Sequence, residues 1–151
     1  MTKPQKRGAR IAMTPEELNE YLTAERTCRV ATISHDGPHI APLWFVWDGT
    51  SMWLTSIVKS QRWTDLMRDP RIAIVVDGGH EYNELVGVEI KGRVEVIGEV
   101  PRTGEPNPEL KVPEKLFAQK YSGTDEMYHD GRHAWVRIVA DKITSWDFRK
   151  I

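Results

Sequence analysis

The hydrophobic period of the chain switches from 3.6 to 2 and back, and the switches mark its elements. Thr14-Pro15-Glu16-Glu17 is a helix start, with Thr as N-cap, Pro at the first helical position and Glu at the capping-box position. Leu18, Tyr21 and Leu22 supply its buried stripe, and the helix should fade near Glu25. From Arg29 the period is 2. Residues 29–34, 39–48 and 51–57, separated by the turn dipeptides Asp36-Gly37 and Asp48-Gly49, predict a three-stranded antiparallel meander. A short helix follows, opened by Lys59-Ser60-Gln61-Arg62, with Trp63, Leu66 and Met67 as its inner face and Asp69-Pro70 as its stop. Residues 71–77 form a further strand, ended by Gly78-Gly79. Residues 89–99 alternate, Ile90, Gly92, Val94 and Val96 inward against Glu89, Lys91, Arg93 and Glu95 outward. The four prolines within 101–113 predict an extended loop, 113–121 a helix and 122–132 another loop. Two strands, 135–140 and 143–148, close the sheet. The pattern is mainly β with short helices, and it shows no internal repeat.

One strand breaks the alternation. Along 39–48 one face is Ile40, Pro42, Trp44 and Val46, and the other is Ala41, Leu43, Phe45 and Trp47. An antiparallel strand with one wet face should alternate apolar and polar, so both faces of this one are covered. A barrel interior covers one face; a partner subunit or a flat ligand covers the other. Two packed sheets without a ligand are the alternative. Pro42 cannot donate a ladder hydrogen bond, which places a bulge or an edge there.

Composition narrows the classes. A chain of 151 residues is most simply one domain. The domain is expected over 14–151, behind a basic arm, 1–13, that carries Lys3, Lys6, Arg7 and Arg10 and is read as solvated. A formal net charge of −1 argues against nucleic acid as a partner, since such domains are strongly basic. No apolar run approaches the ~20 residues that span a bilayer, so no membrane partner is expected. The first residues lack a signal-peptide core, and the single Cys28 cannot form an internal disulfide; both point to the cytoplasm.

The search for catalytic chemistry is short. His129 and His133 flank the turn Asp130-Gly131 rather than sharing a helix face, so no metal site is expected. GxSxG, GxGxxG and GxxxxGK[ST] are all absent, and no catalytic side chain stands out. What remains is the helix start at Lys59, Ser60 and Arg62. Unpaired backbone N–H groups and a partial positive charge beside two cations make a phosphate seat, or else a plainly solvated basic turn.

The order of these pieces is itself informative. RVATIS, the turn His35-Asp36-Gly37-Pro38, a strand ending in Trp47-Asp48-Gly49, a strand ending in Thr55-Ser56, the basic turn and helix, then Asp69-Pro70-Arg71 and an apolar strand, resemble the FMN-binding split-barrel superfamily, the fold of pyridoxamine 5'-phosphate oxidase. Within it the chain looks most like the deazaflavin (coenzyme F420)-dependent reductases, whose last strands the closing segment 135–150 also resembles. The resemblance implies a six-stranded antiparallel split β-barrel, homodimeric, with the cofactor at the subunit interface. It implies an oxidoreductase passing hydride from reduced coenzyme F420 to an unsaturated small-molecule substrate. FMN is the alternative cofactor, and a non-enzymatic flavin- or haem-binding protein the alternative function. Ser60 and Arg62, with Lys59 beside them, match positions that hold the cofactor phosphate. Thr55, Ser56 and Ile57 match the strand end running past the ring, and His39, Pro42, Leu43 and Trp44 the strand beneath it. Tyr82, within 79–84, is a candidate contribution from the partner chain. Two departures stand against vitamin B6 oxidation and tight FMN binding: the chain end lacks Arg-Leu-x-Pro after its tryptophan, and Ser60-Gln61-Arg62 replaces an Arg-Lys pair.

Overall fold

The computed structural model describes residues 2–151. Six strands, β1 (Thr27–Ser34), β2 (Gly37–Trp47), β3 (Met52–Ile57), β4 (Arg71–Gly78), β5 (Val86–Ile97) and β6 (His133–Asp147), form a closed barrel in the order β1-β2-β3-β6-β5-β4. Every pairing is antiparallel. Three helices accompany it: α1 (Pro15–Ala24), α2 (Gln61–Arg68) and α3 (Lys111–Ser122). No helix among the described residues is long and apolar enough to cross a membrane.

Local chemistry sets the element ends. The Thr14 hydroxyl accepts from the Glu17 N–H at 3.2 Å, and the Thr14 N–H donates to Glu17 Oε1 at 2.9 Å, a complete capping box. Ser34 pairs with Gly37, leaving His35-Asp36 as a two-residue hairpin loop, and Gly37 takes φ +131°. That conformation lies beyond ordinary side chains. At the next turn Asp48 Oδ1 accepts from the N–H groups of Thr50 and Ser51, while Oδ2 accepts from the Trp53 indole at 2.8 Å. The carboxylate therefore ties the turn to the strand that follows it.

Three expectations change. The two closing strands are one, β6, which runs through with Asp141 as an extra residue: Lys91 pairs with Lys142, but Gly92 pairs with Ala140. A β-bulge absorbs the polar pair that seemed to break the strand. The N-terminal residues lie along the barrel rather than free of it, with Lys3, Lys6, Arg7 and Arg10 still exposed. Of the arm expected over 1–13, residue 1 lies outside the described residues; the rest follows β6. The Lys3 N–H donates to the Asp141 carbonyl at 2.9 Å, and the Gln5 amide bonds the Ser145 backbone in both directions, each at 3.0 Å. The inner face of α2 is also rotated: Arg62, Trp63, Asp65 and Leu66 are buried, and Met67 is exposed.

The core lies inside the barrel, where Cys28, Val30, Phe45, Leu54, Ile74, Ile90 and Val136 meet. A second cluster lies outside it. Val46, Trp53 and Trp135 point outward and are covered by Leu110 and by Phe117 and Tyr121 of α3. The doubly apolar β2 is thus covered on its inner face by the barrel and on part of its outer face by α3. The cover stops short: Pro42 is exposed, and Trp44 and Ile40 keep 47% and 66% of their surface.

Candidate functional site

The β2–β3–β6 wall and the amino end of α2 carry most of the sequence-predicted residues, divided between two sides of the sheet. Successive strand residues face opposite ways. On β3, Met52 and Leu54 join the interior, while Trp53 joins the outer cluster. Ser56 therefore faces in, and Thr55 and Ile57 face out. On β2 the same rule turns Leu43 toward the interior and Pro42 and Trp44 outward. Side chains of neighbouring residues here lie on opposite sides of the sheet, so one ligand meets both groups only by passing the carboxyl end of β3.

The inward group gathers under α2. Ser60 is the N-cap, its hydroxyl accepting from the Trp63 N–H at 3.1 Å. Ser56 and Ser60 hydroxyls lie 3.3 Å apart, and Arg62 Nε donates to the Ser56 hydroxyl at 3.3 Å. Arg62 retains only 9% of its surface, although the apolar spacing leaves it off the inner face of the helix. Its burial follows from the rotated helix face. Among the described residues no carboxylate pairs with it and Ser56 is its only hydrogen-bond partner. Burial lowers its pKa below the usual arginine range. Lys59 stands exposed on the turn just before the helix. Asp65, one turn on, is fully buried but well supplied: Gln61 Nε2, Thr32 Oγ1 and Ser34 Oγ donate to it at 2.7, 2.9 and 3.0 Å. Burial works to raise its pKa, and those three hydrogen bonds with the Arg68 charge bring it below the ordinary carboxylate range. His39 is half-buried on β2, and its Nδ1 finds no partner.

The outward group meets α3. Trp44 stacks on Tyr121, centroids 4.3 Å apart and planes 10° from parallel, with the Arg26 guanidinium 4.9 Å from the Tyr121 centroid. Thr55 retains 6% of its surface, and its hydroxyl has no hydrogen-bond partner. It borders a cleft of about 130 Å³ lined also by Phe117, Trp135, His129, Asp130 and His133. The sequence had weighed His129 and His133 only as metal ligands. Among the described residues no three His, Cys, Asp or Glu side chains are grouped to hold a metal. His133 belongs instead to a pair, its Nδ1 2.7 Å from Asp130 Oδ2.

Two further groups stand apart. Tyr82 is exposed on the turn Tyr82–Glu84, edge-on to Phe148 at 4.9 Å. Val86 nearby pairs with Asp147, at the end of β6 opposite the one where His133 pairs with Ile57. One chain therefore does not bring Tyr82 to the other residues. Cys28 is fully buried, which pushes its thiol up to about 12 and leaves no nucleophile.

Comparison with known proteins agrees with this architecture. The sequence model of the family described as pyridoxamine 5'-phosphate oxidase matches residues 14–147. Conserved hypothetical protein Rv2991 from Mycobacterium tuberculosis is similar at 31% identity, over 97% of this chain and 92% of that one, with a TM-score of 0.79. A FAD-binding protein from Mesorhizobium loti shares the fold at 18% identity, 89% and 93% coverage and a TM-score of 0.68. An F420 reductase shares it at 20% identity, 83% and 94% coverage and a TM-score of 0.61. No curated protein matches the chain.

Proposed function

We propose, from the premise that this chain belongs to the pyridoxamine 5'-phosphate oxidase family, that it binds coenzyme F420 and, as a homodimer, directs hydride from the reduced cofactor to an unsaturated small molecule. Arg62 carries this reading. A cation nine-tenths buried, without a carboxylate, beside two serine hydroxyls and the unpaired N–H groups of a helix start, is suited to an anion from outside the chain. The cofactor phosphate is such an anion. Ser56, Ser60 and Arg62 would hold it, with Lys59 at the rim.

The outer face supports the rest of the fit. Pro42, Trp44 and Ile57 offer an apolar wall, and the unpartnered Thr55 hydroxyl is a polar contact along it. The cleft of about 130 Å³ is smaller than the ~300–1,000 Å³ of ordinary ligand sites, so a second copy of the chain completes it. The apolar strip Ile40, Pro42 and Trp44 is the surface for that copy, whose Tyr82 segment would approach the cofactor. When bound, the deazaflavin supplies the hydride. The chain's residues hold the phosphate, flank the ring and exclude water, which accounts for the lack of a catalytic set in the sequence.

F420 is favoured over FMN by Ser60-Gln61-Arg62 standing in place of an Arg-Lys pair, while the ending Trp146-Asp147-Phe148-Arg149-Lys150-Ile151 argues against vitamin B6 as the substrate. A fluorescence-monitored screen of the cofactor-free protein with F420, FMN and haem tests the reading. Tightest binding of F420 supports it. Tighter FMN binding moves the protein to the flavin oxidoreductases, and tighter haem binding to non-enzymatic carriers.

A further inference from the structure

The barrel wall opens at the amino end of β3, away from the phosphate seat. β3 pairs with β6 from Ile57–His133 only as far as Trp53–Arg137. The next neighbour on that edge of β6 is the N-terminal segment, where Lys3 bridges Lys142 and its N–H donates to the Asp141 carbonyl. Between these contacts no strand among the described residues borders Ile138, Val139 and Ala140 on that side, so backbone N–H and C=O groups face the opening. The bulge at Asp141 bends β6 where β3 has ended.

Behind the opening lies a cavity of about 230 Å³. Its floor is apolar: Trp47, Met52, Ile90 and Ile138 belong to the core, and Ala140 and Ile143 pack against them. Its mouth carries the Thr2, Thr50 and Ser51 hydroxyls. Most polar groups nearby are already engaged. Arg137 is held by Glu95 and Glu109 at 3.1 and 3.2 Å, the Trp47 indole donates to Asn19 at 2.9 Å, and the Thr50 hydroxyl donates to Asp48 at 3.0 Å. The Ser51 N–H is taken by the same carboxylate at 2.7 Å, which fixes the residue, while its hydroxyl has no partner among the described residues.

Size and lining set the class of the occupant. Barrel mouths are ordinary places for small ligands. A dry apolar cavity of about 150 Å³ holds one benzene ring, and this space is larger by about half. A charged ligand is disfavoured, because Arg137 already faces two carboxylates and the floor offers no counter-charge. One free hydroxyl at the mouth suits one oxygen of the ligand.

We propose that this opening is a second ligand site, taking a neutral aliphatic compound of about six to nine carbons with one hydroxyl or carbonyl oxygen. The carbon chain lies against Trp47, Met52 and Ile138. The oxygen meets the Ser51 hydroxyl and the free edge of β6. Met52 and Ser56 stand four residues apart on β3, about 13 Å, so the occupant and a phosphate at the seat stay separate.

1-Hexanol is the probe, titrated into the cofactor-free full chain and followed by NMR at the Trp47 indole N–H and the Met52 methyl. Saturable shifts at both, in the millimolar range suited to so small a ligand, are expected. Ala140→Leu fills the space and should weaken binding at least tenfold. Ser51→Ala leaves the floor untouched and should weaken it about three- to tenfold, the worth of one neutral hydrogen bond. Hexanoate should bind at least tenfold more weakly than hexanol. Arg62→Met should bind hexanol as the wild type does. Shifts that fail to saturate, or affinity unchanged in folded Ala140→Leu or in Ser51→Ala, overturn the site. Hexanoate binding as tightly as hexanol overturns the neutral class, and hexanol binding lost in Arg62→Met moves the probe to the phosphate seat and overturns the proposal.

Discussion

Replacing Arg62 with methionine separates a phosphate seat from a structural pillar. Methionine keeps much of the length of the side chain and none of its charge, so the space under α2 stays filled. The folded chain bears the desolvation of this cation without a carboxylate to offset it, and its one hydrogen bond, to Ser56, is long at 3.3 Å. Ser56 retains Ser60 as a neighbour after the change. Apolar replacement of poorly compensated buried charge is often neutral or stabilising. The cofactor-free variant should therefore melt at or above the wild-type temperature. Binding moves the other way. A hydrogen bond to a charged group contributes about 1.5–3 kcal/mol, and 1.4 kcal/mol is tenfold, so affinity should fall by roughly 10- to 150-fold. Calorimetric titration and a thermal melt measure the two effects on the same sample. The reasoning fails if Arg62→Met melts well below wild type, by more than the ~2–4 °C that 1 kcal/mol represents in a chain of this size, while binding its cofactor unchanged.

Three further outcomes follow from the fold. Ile40→Glu puts a charge on the exposed apolar strip of β2 and should turn the proposed dimer, which would bury ~2,000 Å² or more, into a monomer in sedimentation at micromolar concentration; an unaffected dimer would place the interface elsewhere, and a wild-type monomer would end the proposal. Asp65 has a folded-state pKa below its ordinary value, so the stability it contributes is present above the ordinary carboxylate range and is lost as pH falls through the lowered value. Melting temperatures of wild type and Asp65→Asn should differ at pH 7 and converge below about pH 4, whereas a pH-independent gap contradicts the assignment. A Cβ on Gly92 would stand 2.0 Å from the Val139 carbonyl oxygen beside the β6 bulge, so Gly92→Ala should destabilise by at least the ~1–3 kcal/mol of an overpacked site, and an unchanged melt would mean that the backbone yields freely.

The elements were legible wherever one local rule governed them. The capping box at Thr14, the N-cap at Ser60 and the stop at Asp69-Pro70 depend on residues within one turn, and all stand where the spacing put them. The strand count at the chain end was not legible, because the bulge at Asp141 depends on the partner strand β5 and on Lys3. The face of α2 was misread for a related reason. Counting apolar residues selects Met67, but Asp65 is drawn inward by Thr32 and Ser34 of β1, and Arg62 by Ser56 of β3. The doubly apolar β2 signalled a second covering layer, and α3 provides part of it. The pairing of His133 with Asp130 was within reach of the sequence, as a turn whose ends lie three residues apart. Its place in one cleft with Thr55 was not, since only the β3–β6 ladder brings the two together.

The central claim is that an anion-bearing deazaflavin fills the seat at Ser56, Ser60 and Arg62. The most direct measurement is an equilibrium titration of the wild-type protein with F420 at low salt, followed by the cofactor's own fluorescence, with inorganic phosphate as competitor. The account predicts saturation at one cofactor per protomer, displacement by phosphate and weaker binding of FMN. Absence of saturable F420 binding, or binding indifferent to phosphate, would contradict it.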